Sequence, residues 1–202
     1  MIEISVRNTR REDVPEVVEL GRHVYPRMPL WREEQILSHL SVFPEGQLVA
    51  VAEGEIVGMA ASLIVTWDDY DFDQSWRDFT AGGMFTNHDP GGRTLYGAEV
   101  MVHPGRQRMG SGRLLYAARR QIVDDLALAR IRAGARIPGY REVADRMSPE
   151  EYVERVVAGE IRDPTLSFQL SEGFRVIAVV EDYLEADRAS LGHAVIIEWV
   201  RK

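Results

Sequence analysis

Cysteine is missing altogether from the 202 residues, and lysine occurs once, as Lys202. Without a thiol there is no disulfide, no thiolate metal site and no cysteine nucleophile, and no metal centre is expected. Every other cation is arginine, the better bidentate partner for phosphate, although genomic base composition produces the same bias. Long apolar runs are missing too, since none approaches the ~20 residues of a membrane span. The opening Met1-Ile2-Glu3-Ile4-Ser5-Val6 alternates like a strand and lacks the charged head and cleavage region of a signal peptide. The expectation is a soluble, cytoplasmic protein with no membrane partner.

Basic charge is scarce as well. Lys and Arg number 24 against 32 Asp and Glu, a net of −8. Positions 1–100 carry eight arginines and seventeen acids, a net of −9; positions 101–202 carry sixteen basic and fifteen acidic residues, a net of +1. A nucleic-acid binder shows a basic balance across the domain, so no nucleic-acid partner is expected. At 22.9 kDa the chain is long enough to bury roughly 70% of its unfolded surface and to fold without a staple.

The positive charge that is present gathers in one place. Between Met101 and Val123 stand Arg106, Arg108, Arg113, Arg119 and Arg120, with no acidic residue. The apolar run Val100-Met101-Val102 stops at His103-Pro104, a short basic loop leads to Gly110-Ser111-Gly112, and an amphipathic helix follows with Leu114, Leu115, Ala118, Ile122 and Leu126 as its apolar residues. Strand, glycine-bearing basic turn and helix start describe an anion site, because free N–H groups and the positive dipole end meet at a helix N-terminus. A dinucleotide fingerprint fits less well, since a loop separates strand from glycines and Leu115 stands where the third glycine belongs. A Walker A loop fails for want of a Lys-Ser/Thr pair.

The rest of the chain supplies elements on both sides. Ile2, Ile4 and Val6 mark a first strand, and Thr9-Arg10-Arg11-Glu12 has the spacing of a capping box opening a helix to about His23. Pro26 and Pro29 interrupt the chain, and a second helix is expected from about Arg32 to Ser41. Strands over Gln47–Ala52 and Ile56–Thr66 flank a hairpin turn, and Arg130–Ala133 is a short strand followed by a turn-like stretch, Gly134–Gly139. Helices are expected from Pro149 to about Ala158 and from Asp163-Pro164 to Gly173, then strands over Phe174–Val180 and Ala194–Val200. This order predicts a mixed α/β (α+β) fold with hairpin and crossover connections. The stretch Trp67–Phe79 sets Asp68, Asp69, Asp71, Asp73 and Asp78 among Trp67, Tyr70, Phe72, Trp76 and Phe79. It reads either as a surface insertion packing its aromatics on the body or a second subunit, or as a lid that attracts a cationic amine.

The element order, centred on Val100-Met101-Val102-His103-Pro104 and Gln107-Arg108-Met109-Gly110-Ser111-Gly112, resembles the GNAT family of acetyl-CoA-dependent N-acetyltransferases. Phe168-Gln169-Leu170-Ser171-Glu172-Gly173-Phe174 is similar to that family's second motif, a helix ending in Gly-Phe before a strand. More narrowly, GGMFTNHDP and ARIPGYREVADRMSPEEYVERVVAGEIRDPTLSFQL resemble the acetyltransferase half of bacterial proteins that also carry a carbon–nitrogen hydrolase domain, here expected as a free-standing version without the hydrolase. The resemblance implies a single domain over 1–202, with an acidic aromatic insertion at about 67–92 and a helical insertion at about 136–163. It implies a mostly antiparallel sheet whose central strands splay apart, flanked by helices. Acetyl-CoA would be the co-substrate, its pantetheine arm in the gap against Val100, Met101 and Val102. Its phosphates would lie on Gln107, Arg108, Met109, Gly110, Ser111, Gly112 and Arg113, with the side chains of Arg106, Arg108 or Arg113 reaching the ribose phosphate. The acceptor would be a primary amine of a small molecule or peptide, and a homodimer is common in the family.

Acetyl transfer to an amine needs a base, an oxyanion donor and a proton for the departing thiolate. The resemblance makes Glu99 the base; the plain alternative is a paired strand-edge carboxylate. The oxyanion donor would be a central-strand amide near Met101. Many relatives carry a tyrosine four residues before the Gly of Gly-Phe, where this chain has Gln169, whose amide can hydrogen-bond to sulfur but is not a phenolic acid. Tyr183, Tyr140, Tyr96 and Ser167 can stand in, and Tyr183 is the catalytic candidate retained. A CoA-binding or protein-interaction module without turnover is the rival expectation.

Overall fold

The computed structural model describes residues 3–28, 31–71 and 74–202. Strands β1 (Ile4–Asn8), β2 (Gln47–Ala52), β3 (Glu55–Val65), β4 (Thr94–Val102), β5 (Arg130–Arg136), β6 (Arg175–Val180) and β7 (Ala194–Val200) form one seven-stranded sheet in the order β1-β2-β3-β4-β5-β7-β6. All neighbours pair antiparallel except β4 and β5. Helices α1 (Val14–Val24), α2 (Glu33–Val42) and the short α3 (Trp76–Phe79) cover one face, and α4 (Ser111–Asp125), α5 (Pro149–Val157) and α6 (Leu166–Ser171) the other. This is the mixed, mostly antiparallel architecture that the element order predicts. No helix among the described residues is long and apolar enough to cross a membrane.

Two apolar cores follow from covering both faces. Along β3, Ile56, Met59, Ala61, Leu63 and Val65 face α1 and α2, while Val57, Ala60 and Ile64 face α4. That is why the strand reads as a near-continuous apolar run.

Three local expectations shift. Thr9 does not cap α1: its N–H donates to Gln47 O at 2.9 Å. Asp13 takes over, accepting from the Arg10 N–H at 2.7 Å and clamped by Arg7 at 2.6 and 2.9 Å, so a 3-10 turn (Arg11–Asp13) precedes the helix. The arginine partner holds the Asp13 carboxyl below its ordinary value. Next, β5 continues past Ala133 to Arg136 because β7 pairs with it all the way to Ala194. Gly134 belongs to that strand, and the Tyr183 ring occupies the space a side chain there would need. Finally, the buried face of α4 is Leu115, Tyr116, Arg119, Ile122 and Val123, with Leu114 and Leu126 exposed. The helix is rotated from the apolar pattern because two polar side chains, Tyr116 and Arg119, are drawn inward.

Of the acidic aromatic stretch, Trp67 and Tyr70 each stack on Phe79, and Phe79 stacks on Tyr96 at 4.9 Å. Asp78 is spent on Ser75 at the start of α3. The expectations for Met1, Ile2, Pro29, Phe72 and Asp73 fall outside the described residues.

The segment after α3 is pinned by His39, which is 1% exposed, donates Nε2–H to Gly83 O at 2.7 Å and stacks on Phe85 at 3.6 Å. Burial lowers this imidazole from its ordinary 6.5 to about 4. Between those values the unfolded chain binds the extra proton, so stability falls as pH drops from about 6.5 to about 4. The urea midpoint is expected to decline across that window, and a His39→Gln variant to decline less steeply. Equal slopes in the two proteins count against this assignment.

Candidate active site where two strands part

Strand β4 pairs with β3 through to Val102, and β5 pairs with β7 through to Arg136. Yet β4 and β5 pair with each other only over Thr94–Tyr96 and Arg130–Arg132. Beyond Tyr96 the two strands part, leaving a wedge-shaped gap whose β4 wall carries Val100, Met101 and Val102. The His103 N–H donates to Val57 O at 2.8 Å. Antiparallel alternation then turns the Met101 backbone groups toward β3 and those of Val100 and Val102 toward the gap. The amide available to an oxyanion is therefore next to Met101 rather than its own.

A β-bulge breaks β4 just above the parting. Ala61 lies opposite Glu99 and Ser62 opposite Gly97, so Ala98 is the extra residue. Tyr96 and Ala98 face the α1 side and Val100 and Val102 the α4 side. The bulge puts Glu99 on the α1 side with Ala98, where regular pleating would have turned it away. Donors from both faces hold it. From α4, Arg119 donates Nε–H to Ser62 Oγ at 3.0 Å, and Nη2 to Ala61 O at 2.7 Å and to Glu99 O. From α3, Trp76 Nε1 donates to Ala98 O at 3.0 Å. Gly97 makes room: a side chain there would come within 2.9 Å of Arg119 Nη1. Arg119 is 1% exposed, and burial depresses its pKa.

The Glu99 carboxylate accepts from Tyr25 Oη at 2.8 Å. Burial raises its pKa, opposed by Tyr25, Arg136 and Arg119. Arg136 lies with its guanidinium 5.4 Å from the Tyr25 ring and is locked by Asp187 through two bonds of 2.6 Å. Asp187, 1% exposed, stays below its ordinary value because Arg136 and Ser190 bond it. Tyr183 lies against Gly134 at the root of the gap on the same face, its hydroxyl bonded to that of Tyr96 and its pKa raised by burial. Sequence reasoning places Glu99 here and misses Tyr25, Arg136, Asp187, Trp76 and Arg119.

At the mouth of the gap, Gln107, Arg108, Met109 and Gly110 form an exposed loop, and Ser111, Gly112 and Arg113 begin α4. Gly110 has φ +97° with open space where a side chain would project, so only glycine adopts this cap freely. Ser111 Oγ is buried without a partner. Arg106 is tied to Glu53 and Glu55 and Arg113 to Glu172, whereas Arg108 makes no ion pair with a described residue. On the far wall Gln169 donates Nε2–H to Tyr116 Oη at 2.9 Å, and its Oε1 is buried without a partner.

A family model described as the acetyltransferase (GNAT) family matches residues 9–141. The chain belongs to that family. It is 43% identical over 194 residues to "Probable hydrolase YhcX" of Bacillus subtilis (strain 168), a match covering 96% of this chain and 38% of that protein. It is 36% identical over 200 residues to "Uncharacterized N-acetyltransferase YkwB" of the same organism, covering 97% and 88%. Among solved structures, the GphF GNAT-like decarboxylase in complex with isobutyryl-CoA superposes with a TM-score of 0.80 at 23% identity, over 97% of this chain and 98% of that one. The GNAT fold expected from the motifs is therefore the fold observed.

Arg119 is the test of how the bulge is held. Replacing it with methionine leaves carbonyls without their donor at about 1–3 kcal/mol each. Chemical denaturation is expected to show a loss of at least about 2 kcal/mol for Arg119→Met, and a smaller one for Ser62→Ala. A loss below that of Ser62→Ala contradicts the assignment.

Proposed function

We propose that the chain transfers the acetyl group of acetyl-CoA to a primary amine of a small molecule or peptide, by direct attack in a ternary complex. The observation that carries this reading is the bulged β4 strand. It presents a carboxylate, Glu99, on one side of the gap and unpaired backbone groups of Val100 and Val102 inside it. The reading treats residues 1–202 as one catalytic unit with additions at about 67–92 and 136–163.

The residues present fit the co-substrate. Gln107 to Arg113 offer free N–H groups at a helix start, and among the described residues Ser111 Oγ, buried there, has no hydrogen-bond partner and Arg108 no ion pair. Val100 and Val102 offer strand-like hydrogen bonds to an amide-bearing arm, flanked by Met101. Acetyl-CoA supplies an acyl group activated by a thiolate leaving group. An alkylamine with a pKa of about 10.4 is almost wholly protonated at pH 7, so it needs a base. Glu99 takes that proton, Tyr25 holds the carboxylate in place, and Arg136 sets the local charge. A gap-facing amide of β4 steadies the carbonyl oxygen as charge develops.

A CoA-binding module without turnover is favoured by one observation, the amide of Gln169 where a phenol is expected. Melting and turnover separate the two readings. Acetyl-CoA at saturation is expected to raise Tm while NADH and ATP do not, and thiol release is expected with at least one of spermidine, tyramine, glycinamide and an alanyl peptide. A Tm shift without thiol release supports the module; no Tm shift would falsify both. With a turned-over amine, Glu99→Gln is expected to lower kcat by about 10²–10⁴-fold. In the wild type kcat falls as pH drops through the Glu99 pKa, which lies above its ordinary 4.5, and the variant lacks this limb.

A further inference from the structure

Acetyl transfer ends with a thiolate that needs a proton, and α6 offers the amide of Gln169 for it. The fold sets a phenol beside that amide. The Gln169–Tyr116 hydrogen bond joins α6, which packs on β5, to α4, which packs on both β4 and β5. Tyr116 Oη accepts in this bond, and among the described residues nothing accepts its own proton. Two further polar atoms lie buried and unpartnered on these helices: Gln169 Oε1, and Ser111 Oγ near the start of α4. Uncommitted polar atoms on side chains that are themselves only 2–8% exposed are what a ligand between α4 and α6 would satisfy. The Arg119 guanidinium lies over the Tyr116 ring, 5.8 Å from its centroid. Burial raises the phenol's pKa, while Arg119 and Gln169 draw it back. Tyr183, by contrast, has its hydroxyl tied to Tyr96 on the α1 side of the sheet.

We infer that Tyr116 is the proton donor to the leaving thiolate and that Gln169 is the positioning residue that aims it. The inference rests on the acetyltransferase reading above. The amine lone pair forms the C–N bond, the C–S bond breaks with its electron pair on sulfur, and the Tyr116 O–H proton passes to that sulfur. Glu99 has by then passed the ammonium proton to solvent and takes the second proton, which nitrogen loses as the C–N bond forms; solvent afterwards returns the phenolate and the carboxyl group to their starting states.

The test compares coenzyme A with desulfo-coenzyme A by calorimetry at pH 8.5, beside kcat with the amine turned over above. Wild-type protein is expected to bind coenzyme A about tenfold more tightly, as for a hydrogen bond to a charged group. Tyr116→Phe is expected to bring that ratio near one and lower kcat by about 10²-fold, while keeping the acetyl-CoA shift in Tm that shows it is folded. Gln169→Ala is expected to lose less than Tyr116→Phe in both. A Tyr116→Phe protein that keeps the preference, a wild type that shows none, or a Tyr183→Phe protein that loses it overturns the assignment. The acetyltransferase reading stands or falls separately, on the wild-type shift in Tm and thiol release.

Discussion

The site depends on one buried cation. A bulge frees carbonyls from the regular ladder, and carbonyls in a dry interior need donors. Arg119 supplies three N–H bonds from one rigid fork, to Ser62 Oγ, Ala61 O and Glu99 O. A lysine would bring a point charge without that geometry. Because the guanidinium comes from α4, the helix that begins at the anion loop is fastened to the strand that carries the carboxylate. The loop at the start of α4 and the bulged strand thus share one rigid connection. From the opposite face Trp76 fixes the neighbouring carbonyl, so the acidic aromatic segment is tied to the reaction platform through Ala98.

Charge on the α1 side is arranged in a chain. Asp187 holds Arg136, Arg136 lies over Tyr25, and Tyr25 bonds Glu99. Burial works against ionising Glu99, and the neighbouring cations and the Tyr25 hydroxyl work for it. The net effect raises the Glu99 pKa above its ordinary value, the direction that suits a general base.

The fold was legible because its signals are local: alternation in β1 to β3, glycine and proline punctuation, and Asp163 capping α6 through Thr165 and Leu166. The glycine loop at the start of α4 was legible for the same reason, since strand, glycine turn and helix start are contiguous. The acceptor side was not. Tyr25, Arg136 and Asp187 are ordinary residues in their own segments and meet only when α1, β5 and the stretch before β7 come together. The bulge was hidden because Gly97 and Ala98 are too small to show a break in apolar alternation. Arg119 reads as one more cation of the basic cluster, although it is buried against β3 and β4, and Tyr116 leaves no signal of its own.

The arginines around the start of α4 have a consequence for the protein's own surface chemistry. An enzyme that holds an activated acyl thioester risks modifying its own amines. A guanidinium, protonated far above neutral pH, is a poor acyl acceptor. The sole lysine, Lys202, lies beside Ala127 past the far end of α4, and a helix of 15 residues sets about 22 Å between its two ends. The loop at the start of α4 is cationic yet contains no lysine, so under the proposed reaction it can lie against an acyl thioester without presenting a side-chain amine to it.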